Sequence, residues 1–366
     1  MKVMQIITRV NRGGTAKWLE ILSQGLIANG HINLLVAGDV HENEVEDPLF
    51  EKLDGIRVSN LGRSISLQQD IRAFVELRRI IKDQKPDLIN THTSKAGALG
   101  RIAAISILSG RPAIVHTYHG HLLYGYFGKL KVKIIVAIEK FLAQFSSLLI
   151  VSGERVRDEL LEVGIGEKSK FILIKPGIPA LNFASKVETR NILGIPLDAI
   201  VVGWLGRFTE IKHPERVLEI AAWAPNVIFL MGGDGELHES ISEIAPPNVR
   251  LIGWTTPETL WGASDIAILT SDNEAQPISL VEAAMAGLPT IALNVGSIES
   301  VIADGETGFL VKNPREISER IIELVNKESL RSELGNRARI KMNKEFSEAQ
   351  FIDSHVHSYE KALNSQ

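Results

Sequence analysis

Short apolar runs alternate with longer amphipathic segments along the whole chain. The strand-like runs of the first half are VMQIIT, INLLVAG, DLINTH, AIVHTYH and SLLIVSG. The segments between them, such as TAKWLEILSQGLIANG, repeat their apolar positions with the period of an α-helix. Because strands that alternate with helices are typical of parallel sheets covered on both faces, the pattern predicts an α/β fold with doubly wound, Rossmann-like domains.

The length of the chain predicts two domains. With 366 residues it exceeds the size at which one hydrophobic core stops growing. The segment KPGIPALNFASKVETRNILGIP is rich in Pro and Gly and reads as a linker, after which a second α/β series begins at AIVVGWLGRF. We expect an N-terminal domain over 1–178, a C-terminal domain over 179–345, and a last helix over 346–366 that packs back on the N-terminal domain. Ligands of such folds bind at the carboxyl ends of the strands, so we expect the chemistry in a cleft between facing domains.

Composition narrows the class of protein. Apolar residues make up 45% of the chain and charged residues 23%, which excludes disordered and fibrous chains. Cysteine is absent, which excludes disulfides, thiolate metal sites and cysteine nucleophiles and is typical of a reducing compartment. The N-terminus lacks a signal-peptide pattern and no apolar run approaches 18 residues, so we expect a cytoplasmic protein.

Charge is distributed unevenly between the two halves. Residues 1–178 hold 24 Lys+Arg against 18 Asp+Glu, and residues 179–366 hold 16 against 26. The basic half favours contact with anions such as phosphate head groups, and a solvated surface is the alternative. The segment YGYFGKLKVKIIVAIEKFLAQF, which combines lysines with Tyr and Phe, indicates peripheral contact with the inner face of a membrane or, equally, an ordinary helix with a basic end. No pattern indicates a nucleic-acid partner.

A glycine turn follows the first predicted strand. Gly13 and Gly14 precede Thr15, which we expect to be the N-cap of the next helix. Such a turn lets a phosphate or a sugar hydroxyl approach backbone N–H groups at the positive end of a helix. A tight turn also needs glycine for conformational reasons alone, and this alternative stays open.

Four histidines lie at or after predicted strand ends: His92, His116, His119 and His121. Zinc is disfavoured because the segment HTYHGH holds no carboxylate and the chain has no HExxH pattern, so no metal site is predicted. The strand-end position favours His119 as a substrate contact, with a histidine that hydrogen-bonds backbone as the alternative.

The second domain opens with a cationic loop. Arg207 and Lys212 follow the strand VVGWL, five residues apart. A guanidinium and an ammonium at the carboxyl end of a sheet can neutralise a pyrophosphate without a metal ion. Two solvated loop cations are the alternative.

Two glutamates flank a predicted helix start in SDNEAQPISLVEAAMAG. Glu274 lies in the loop before Pro277, which suits the first helical turn, and Glu282 lies on the helix itself. Backbone N–H groups of the first turn, 279–281, add an anion site between the two carboxylates. Ionised carboxylates separated in this way favour recognition of sugar hydroxyls over metal binding.

These motifs, in this order, resemble the retaining glycosyltransferases of family 4, which have the GT-B fold, over nearly the whole chain. The family pattern places seven residues between two glutamates and an alanine after the second, as in Glu274, Glu282 and Ala283. The elements GRFTEIK, GDGEL and the N-terminal double glycine also match. The branch that builds bacterial surface polysaccharides and lipid-linked oligosaccharides is the most similar.

The resemblance implies specific roles for the candidate residues. Arg207 and Lys212 would hold the donor diphosphate, Glu274 the donor sugar, and Glu282 the ribose. His119 would lie near the reacting face of the sugar. The implied donor-binding set is completed by Gly14, Gly253, Trp254, Pro277, Ser279 and Leu280, and the implied acceptor and phosphate loop is Gly13, Gly14 and Thr15.

The resemblance further implies transfer of a hexosyl unit from a nucleotide sugar, UDP-linked, to a glycan or a polyprenol-diphosphate-linked acceptor, with retention and without a metal or other cofactor. Two positions depart from the family: Ala275 stands where glycine is usual, which narrows the predicted sugar pocket, and KPGIPAL lacks the usual aspartate. A nucleotide-sugar epimerase and a non-catalytic nucleotide-sugar-binding subunit remain alternatives. A dehydrogenase is disfavoured because no GxGxxG follows the first strand.

Overall fold

A computed structural model of the chain describes residues 1–41, 44–62, 64, 66–119, 129–274 and 277–365. The chain divides into two units: unit 1 comprises Met1–Gly177 and Glu348–Gln366, and unit 2 comprises Ile178–Ser347.

Unit 1 is built on a seven-stranded, fully parallel sheet. Its strands are β1 (Lys2–Ile7), β2 (Ile32–Ala37), β3 (Ile56–Arg57), β4 (Leu88–His92), β5 (Ala113–Tyr118), β6 (Leu148–Val151) and β7 (Phe171–Leu173). Their order across the sheet is β3-β2-β1-β4-β5-β6-β7, so the direction of winding reverses between β1 and β4. Every residue of β4 and β5 is buried, as expected for central strands covered on both faces.

The helices of the N-terminal part connect these strands. They are α1 (Gly14–Ala28), α2 (Leu49–Lys52), α3 (Leu67–Gln84), α4 (Ser94–Ile105), α5 (Lys129–Phe145) and α6 (Glu154–Glu162), with a 3-10 turn at Lys168–Lys170.

Unit 2 has a six-stranded parallel sheet of the same design. Its strands are β8 (Val201–Leu205), β9 (Ile228–Gly232), β10 (Val249–Leu251), β11 (Ile266–Leu269), β12 (Thr290–Leu293) and β13 (Gly308–Val311). Its helices are α7 (Lys186–Leu193), α8 (Glu215–Trp223), α9 (His238–Ile244), α10 (Pro257–Ala263), α11 (Ile278–Met285), α12 (Pro314–Asn326) and α13 (Glu328–Glu345), with 3-10 turns at Glu210–Lys212 and Ile298–Ser300. The strand order β10-β9-β8-β11-β12-β13 places the reversal between β8 and β11. The predicted doubly wound α/β architecture is confirmed in both units.

The segment whose composition suggested a linker contains helix α7. Ser185 is its N-cap and accepts a hydrogen bond from the Glu188 N–H at 3.2 Å. Arg190, on the same helix, is buried and donates to Asp265 at 2.7 Å. Because this buried charge is paired inside unit 2, the second half of the segment is part of the unit 2 core.

The last helix, α14 (Glu348–Asn364), packs within unit 1 against α1. Phe351 lies edge-on to Trp18, with ring centroids 4.8 Å apart. The buried Tyr359 hydroxyl accepts a hydrogen bond from Asn90 of β4 at 2.8 Å. An apolar contact with α1 and a polar contact with β4 therefore attach α14 to the rest of unit 1.

Candidate functional site

The carboxyl ends of β8 and β11 bring two loops together at the reversal point of the unit 2 sheet. Thr270, which follows β11, donates its hydroxyl to the Lys212 carbonyl at 2.9 Å and accepts from the Trp204 indole N–H at 3.0 Å. All three groups lie where the strand order reverses between β8 and β11, and doubly wound folds bind ligands at such a position. The loop after β8 is thereby fixed to the loop after β11.

The centre of this edge is an ion pair between Lys212 and Glu274. Glu274 is 7% exposed and also accepts a hydrogen bond from the Ser271 hydroxyl at 2.7 Å. Burial and two partners hold the carboxylate in one orientation. The structure thus joins two residues that the sequence placed in separate loops, 62 positions apart.

A network of charged side chains around Asp272 lies next to this pair. His213 follows Lys212 in a left-handed conformation with φ 47° and bonds Asp272 at 2.6 Å through Nε2. Arg216 reaches the same carboxylate at 2.7 Å. Burial alone would lower the pKa of His213, but its hydrogen bonds to Glu215 and Asp272 outweigh burial and raise it. Because Asp272 lies two residues before Glu274, this network holds the loop that carries the buried carboxylate.

Arg207 is exposed at the same edge, and it follows Gly206 in the chain. Within the described residues its guanidinium has no hydrogen-bond or ion-pair partner. A Cβ at Gly233, which has φ 125°, would overlap the carbonyl oxygen of Gly206, so only glycine allows this close approach. Phe208 N–H donates to the Asp234 carbonyl at 3.0 Å, which joins the GDGEL turn to the loop that carries Arg207.

The other predicted donor residues lie at neighbouring loop ends of unit 2. Gly253 has φ 66° and accepts from the Gly233 N–H at 2.8 Å, while Trp254 is 79% exposed. Helix α11 begins at Ile278, with Pro277 as its N-cap residue, one position later than predicted. The remaining candidates on α11 are a half-buried Ser279, a buried Leu280 and a half-buried Glu282. The departure at Ala275 lies outside the described residues.

The double-glycine turn starts α1 in unit 1. The helix begins at Gly14, with Gly13 as N-cap at φ 151°, and no side chain caps it. The expectation that Thr15 is the N-cap is wrong, because Thr15 already lies inside the first turn. Both glycines are exposed, and α1 is the first helix after the carboxyl end of β1 along the chain.

His119 directly follows β5 and bonds His92, the last residue of β4, at 2.8 Å between Nε2 and Nδ1. The two rings stack with centroids 5.1 Å apart, and Trp18 lies edge-on to His119 at 5.2 Å. His116 lies deeper in the sheet, where it bonds Thr91 at 2.8 Å. His121 lies outside the described residues, and within the described ranges no group of three His or acidic side chains could hold a metal ion.

Family models match both units. Residues 12–180 match the model described as Glycosyltransferase Family 4, and residues 185–341 match the one described as Glycosyl transferases group 1. Together they span nearly the whole chain. This chain belongs to the glycosyltransferases of the group 1 and family 4 type.

Two curated relatives have similar length. The glycosyltransferase is 29% identical over 287 residues, 73% of each chain, to a UDP-Gal:alpha-D-GlcNAc-diphosphoundecaprenol alpha-1,3-galactosyltransferase of Escherichia coli. It is 27% identical to the capsular polysaccharide biosynthesis glycosyltransferase CapM of Staphylococcus aureus, over 84% of this chain and 86% of the relative.

Solved structures agree in fold. The crystal structure of Anabaena HepE in complex with UDP superimposes with a TM-score of 0.81 over the whole of both chains at 19% identity. A sucrose-phosphate synthase from Thermosynechococcus elongatus superimposes equally well, at 18% identity. The glycosyltransferase therefore has the predicted GT-B fold.

Acid should destabilise unit 1 of the glycosyltransferase through His355. This residue is fully buried, and burial lowers its pKa from 6.5 to about 4. Because the neutral ring is favoured in the fold, its contribution is fully present above pH 6.5 and is lost as the pH falls toward 4, by about 2 kcal/mol between pH 7 and pH 5.

Urea unfolding followed by circular dichroism at both pH values tests this expectation. We expect His355→Phe to lose markedly less free energy of unfolding than the wild type on acidification. His357→Phe is the matched control, because His357 is exposed on the same helix. An equal acid dependence in the wild type and His355→Phe would contradict the role of His355.

Proposed function

We propose that this glycosyltransferase moves a hexosyl unit from a UDP-linked sugar to a hydroxyl of a glycan or lipid-linked acceptor, with retention of anomeric configuration. The observation that carries the proposal is the carboxyl edge of unit 2, where exposed Arg207 lies in the loop that leads to the Lys212–Glu274 pair. The E. coli relative is named for a UDP-Gal donor, and HepE was crystallised with UDP-glucose as well as UDP. Both names support the choice of donor.

The charges at this edge suit a diphosphate leaving group. Arg207 supplies a guanidinium fork and Lys212 an ammonium. Of the N–H groups predicted to form an anion site at the start of α11, those of Leu280 and Val281 donate to the Pro277 carbonyl, so only that of Ser279 adds positive potential. We propose that Glu274, held by Lys212 and Ser271, accepts hydrogen bonds from sugar hydroxyls. Since the chain supplies this positive charge itself, we propose that transfer is independent of a metal ion.

The proposed step is a displacement on one face of the sugar. The bond from the anomeric carbon to the β-phosphate oxygen breaks, and a bond from the acceptor oxygen to the same carbon forms. The acceptor proton passes to an oxygen of the departing β-phosphate, so no protein nucleophile is needed. Arg207 and Lys212 stabilise the charge that develops on the phosphate, which is greatest in the transition state.

We propose a polyprenol-diphosphate-linked glycan as the acceptor, in the synthesis of a surface polysaccharide. The E. coli relative is named for a GlcNAc-diphosphoundecaprenol acceptor and the S. aureus relative for capsular polysaccharide biosynthesis. No helix among the described residues has the length and apolarity to span a bilayer. Because an acceptor of this kind is anchored in a membrane, we propose that a surface of the protein contacts the inner face of the bilayer.

Helix α5 offers such a surface. Its inner face is anchored by Glu139, which accepts from the buried Arg101 at 2.7 Å. Its outer face exposes an apolar stripe at helical spacing, made of Ile134 (54%), Ile138 (42%), Phe141 (53%) and Phe145 (38%). Exposed Lys133 and Lys140 lie along one side of the stripe. An apolar stripe beside lysines is the pattern of a helix that lies in the interface of an anionic leaflet. The predicted aromatic part of this segment, with Tyr124, Tyr126 and Phe127, lies outside the described residues.

We expect the double variant Ile138→Glu with Phe141→Glu to abolish co-sedimentation with vesicles that contain anionic lipid, since two carboxylates would enter the interface. The matched control is Ile71→Glu with Val75→Glu, which changes two apolar side chains of α3 in the same unit that are at least as exposed (55% and 58%). Equal loss of binding in both double variants, or no binding of the wild type at low salt, would overturn the role of α5.

The function itself is tested by incubating the protein with a panel of nucleotide sugars and a membrane lipid extract, with and without EDTA. UDP release and a product heavier by one hexosyl unit, unchanged by EDTA, are expected. Conversion of the donor without any acceptor would instead identify an epimerase. Donor binding without turnover would identify a non-catalytic subunit.

A further inference from the structure

Three side chains form a hydrogen-bonded chain that leads from the interior of unit 1 to the carboxyl edge of its sheet. Gln5, fully buried in the middle of β1, places its carbonyl oxygen Oε1 2.8 Å from His92 Nε2. His92, also fully buried, places Nδ1 2.8 Å from His119 Nε2. None of the described residues is positioned to hydrogen-bond the remaining ring nitrogen, His119 Nδ1. Among the residues that the structure describes, the chain therefore begins at Gln5 and ends at His119 Nδ1, which has no partner there.

The orientation of the Gln5 amide sets the proton positions. Its oxygen faces His92 Nε2, and its nitrogen has no hydrogen-bond partner among the described residues. Because an amide oxygen can only accept, this orientation puts the proton of His92 on Nε2. A neutral imidazole carries one proton, which leaves Nδ1 of His92 as an acceptor. His119 must then donate from Nε2, and its Nδ1 keeps a lone pair.

Both rings stay neutral in this environment. Burial, followed by the proximity of His119 and His355, lowers the pKa of His92 well below its usual range. Burial, followed by His355, lowers the pKa of His119 to about 4. Trp18 closes one side of the pair, edge-on to both His119 and His355. At neutral pH each of the two imidazole rings therefore carries a single proton.

We propose that Gln5 and His92 are positioning residues that lock His119 in the tautomer with its proton on Nε2, so that Nδ1 presents an acceptor to a substrate hydroxyl. This inference rests on the proposed function for the identity of the substrate and on the structure alone for the tautomer. A histidine held in this way can accept a hydrogen bond from a sugar or acceptor hydroxyl but cannot donate one to a phosphate. It contributes recognition of a hydroxyl rather than stabilisation of the leaving group.

Nitrogen-15 NMR of the wild-type protein, labelled at histidine and without substrate, tests the tautomer directly. Long-range proton–nitrogen correlations distinguish a protonated from an unprotonated ring nitrogen, and the His119→Gln variant assigns the signals. At pH 7 we expect a single state with Nε2 protonated and Nδ1 unprotonated. A proton on Nδ1, or averaging between the two tautomers, would overturn the proposal. Because no substrate is present, this result does not depend on whether the proposed transfer reaction occurs.

The variant Gln5→Leu removes the acceptor at the inner end. We expect its His119 signals to average between tautomers and kcat to fall about tenfold, the equivalent of one lost hydrogen bond in the transition state. Gln24→Leu, the same change at an exposed position of α1, should alter neither. A single unchanged tautomer in Gln5→Leu would show that Gln5 does not set the proton, whatever happens to kcat.

Discussion

Replacement of Arg207 by alanine should lower kcat by about 10²- to 10³-fold, with a smaller effect on the KM for the donor. Its guanidinium is exposed at the end of β8 and has no partner among the described residues. In the proposed reaction it meets a diphosphate whose charge is greatest in the transition state, so its removal should slow turnover more than binding. Steady-state UDP release over a range of donor concentrations measures both constants.

Because Arg207 is exposed, its replacement should change activity without changing stability. Surface substitutions away from structural features change stability by less than about 0.5 kcal/mol, so Arg207→Ala should unfold like the wild type. Arg337→Ala, at an arginine on α13 whose side chain is 53% exposed, is the matched control and should keep full activity. An unchanged kcat in folded Arg207→Ala would remove Arg207 from the mechanism.

Gly296→Ala should reduce activity by about 10²-fold although no functional side chain changes. Gly296 has φ 58°, and a Cβ there would overlap the carbonyl oxygen of Glu274 and come within 2.7 Å of its amide nitrogen. Ser297 N–H also donates to that carbonyl at 2.8 Å. The backbone of Glu274 must therefore shift, and the pair with Lys212 shifts with it.

Gly305→Ala is the control for backbone strain. It places an alanine in a left-handed backbone conformation without displacing Glu274. Gly305 has φ 73°, but nothing lies within 4 Å of an added Cβ. Both variants carry the conformational cost of about 1 kcal/mol, while only Gly296→Ala has the overlap. Equal activity of the two variants would mean that the position of the Glu274 backbone does not matter for transfer.

Much of the fold could be predicted from the sequence because its signals are local. Alternation of apolar runs with helical periods requires only neighbouring residues, and it gave two doubly wound sheets. Arg207 and Glu274 could be placed at strand ends for the same reason. The predicted first residues of the helices were less accurate. Helix α11 begins one residue later than expected, and the N-cap residue of α1 is Gly13 rather than Thr15. Local capping preference cannot decide between adjacent residues that all suit a turn.

The partnerships within the site could not be predicted, because they join residues that are distant in sequence. Lys212 meets Glu274 across 62 positions, and Gln5 meets His92 across 87. The spacing of motifs suggested that Lys212 and Glu274 contact different parts of a ligand and gave no sign that they touch. His213, with its left-handed backbone and its bond to Asp272, carried no sequence signal beyond a histidine before a proline.

The anomeric configuration of the product distinguishes retention from inversion. The protein is incubated with a UDP-linked hexose that has an α-linkage and with a lipid extract. The product is isolated, and proton NMR measures the coupling constant between its anomeric proton and the proton on the neighbouring carbon. We expect an α-linked product, because the acceptor attacks on the face from which UDP departs. A β-linked product would contradict it, since inversion requires attack from the opposite face with a base supplied by the protein.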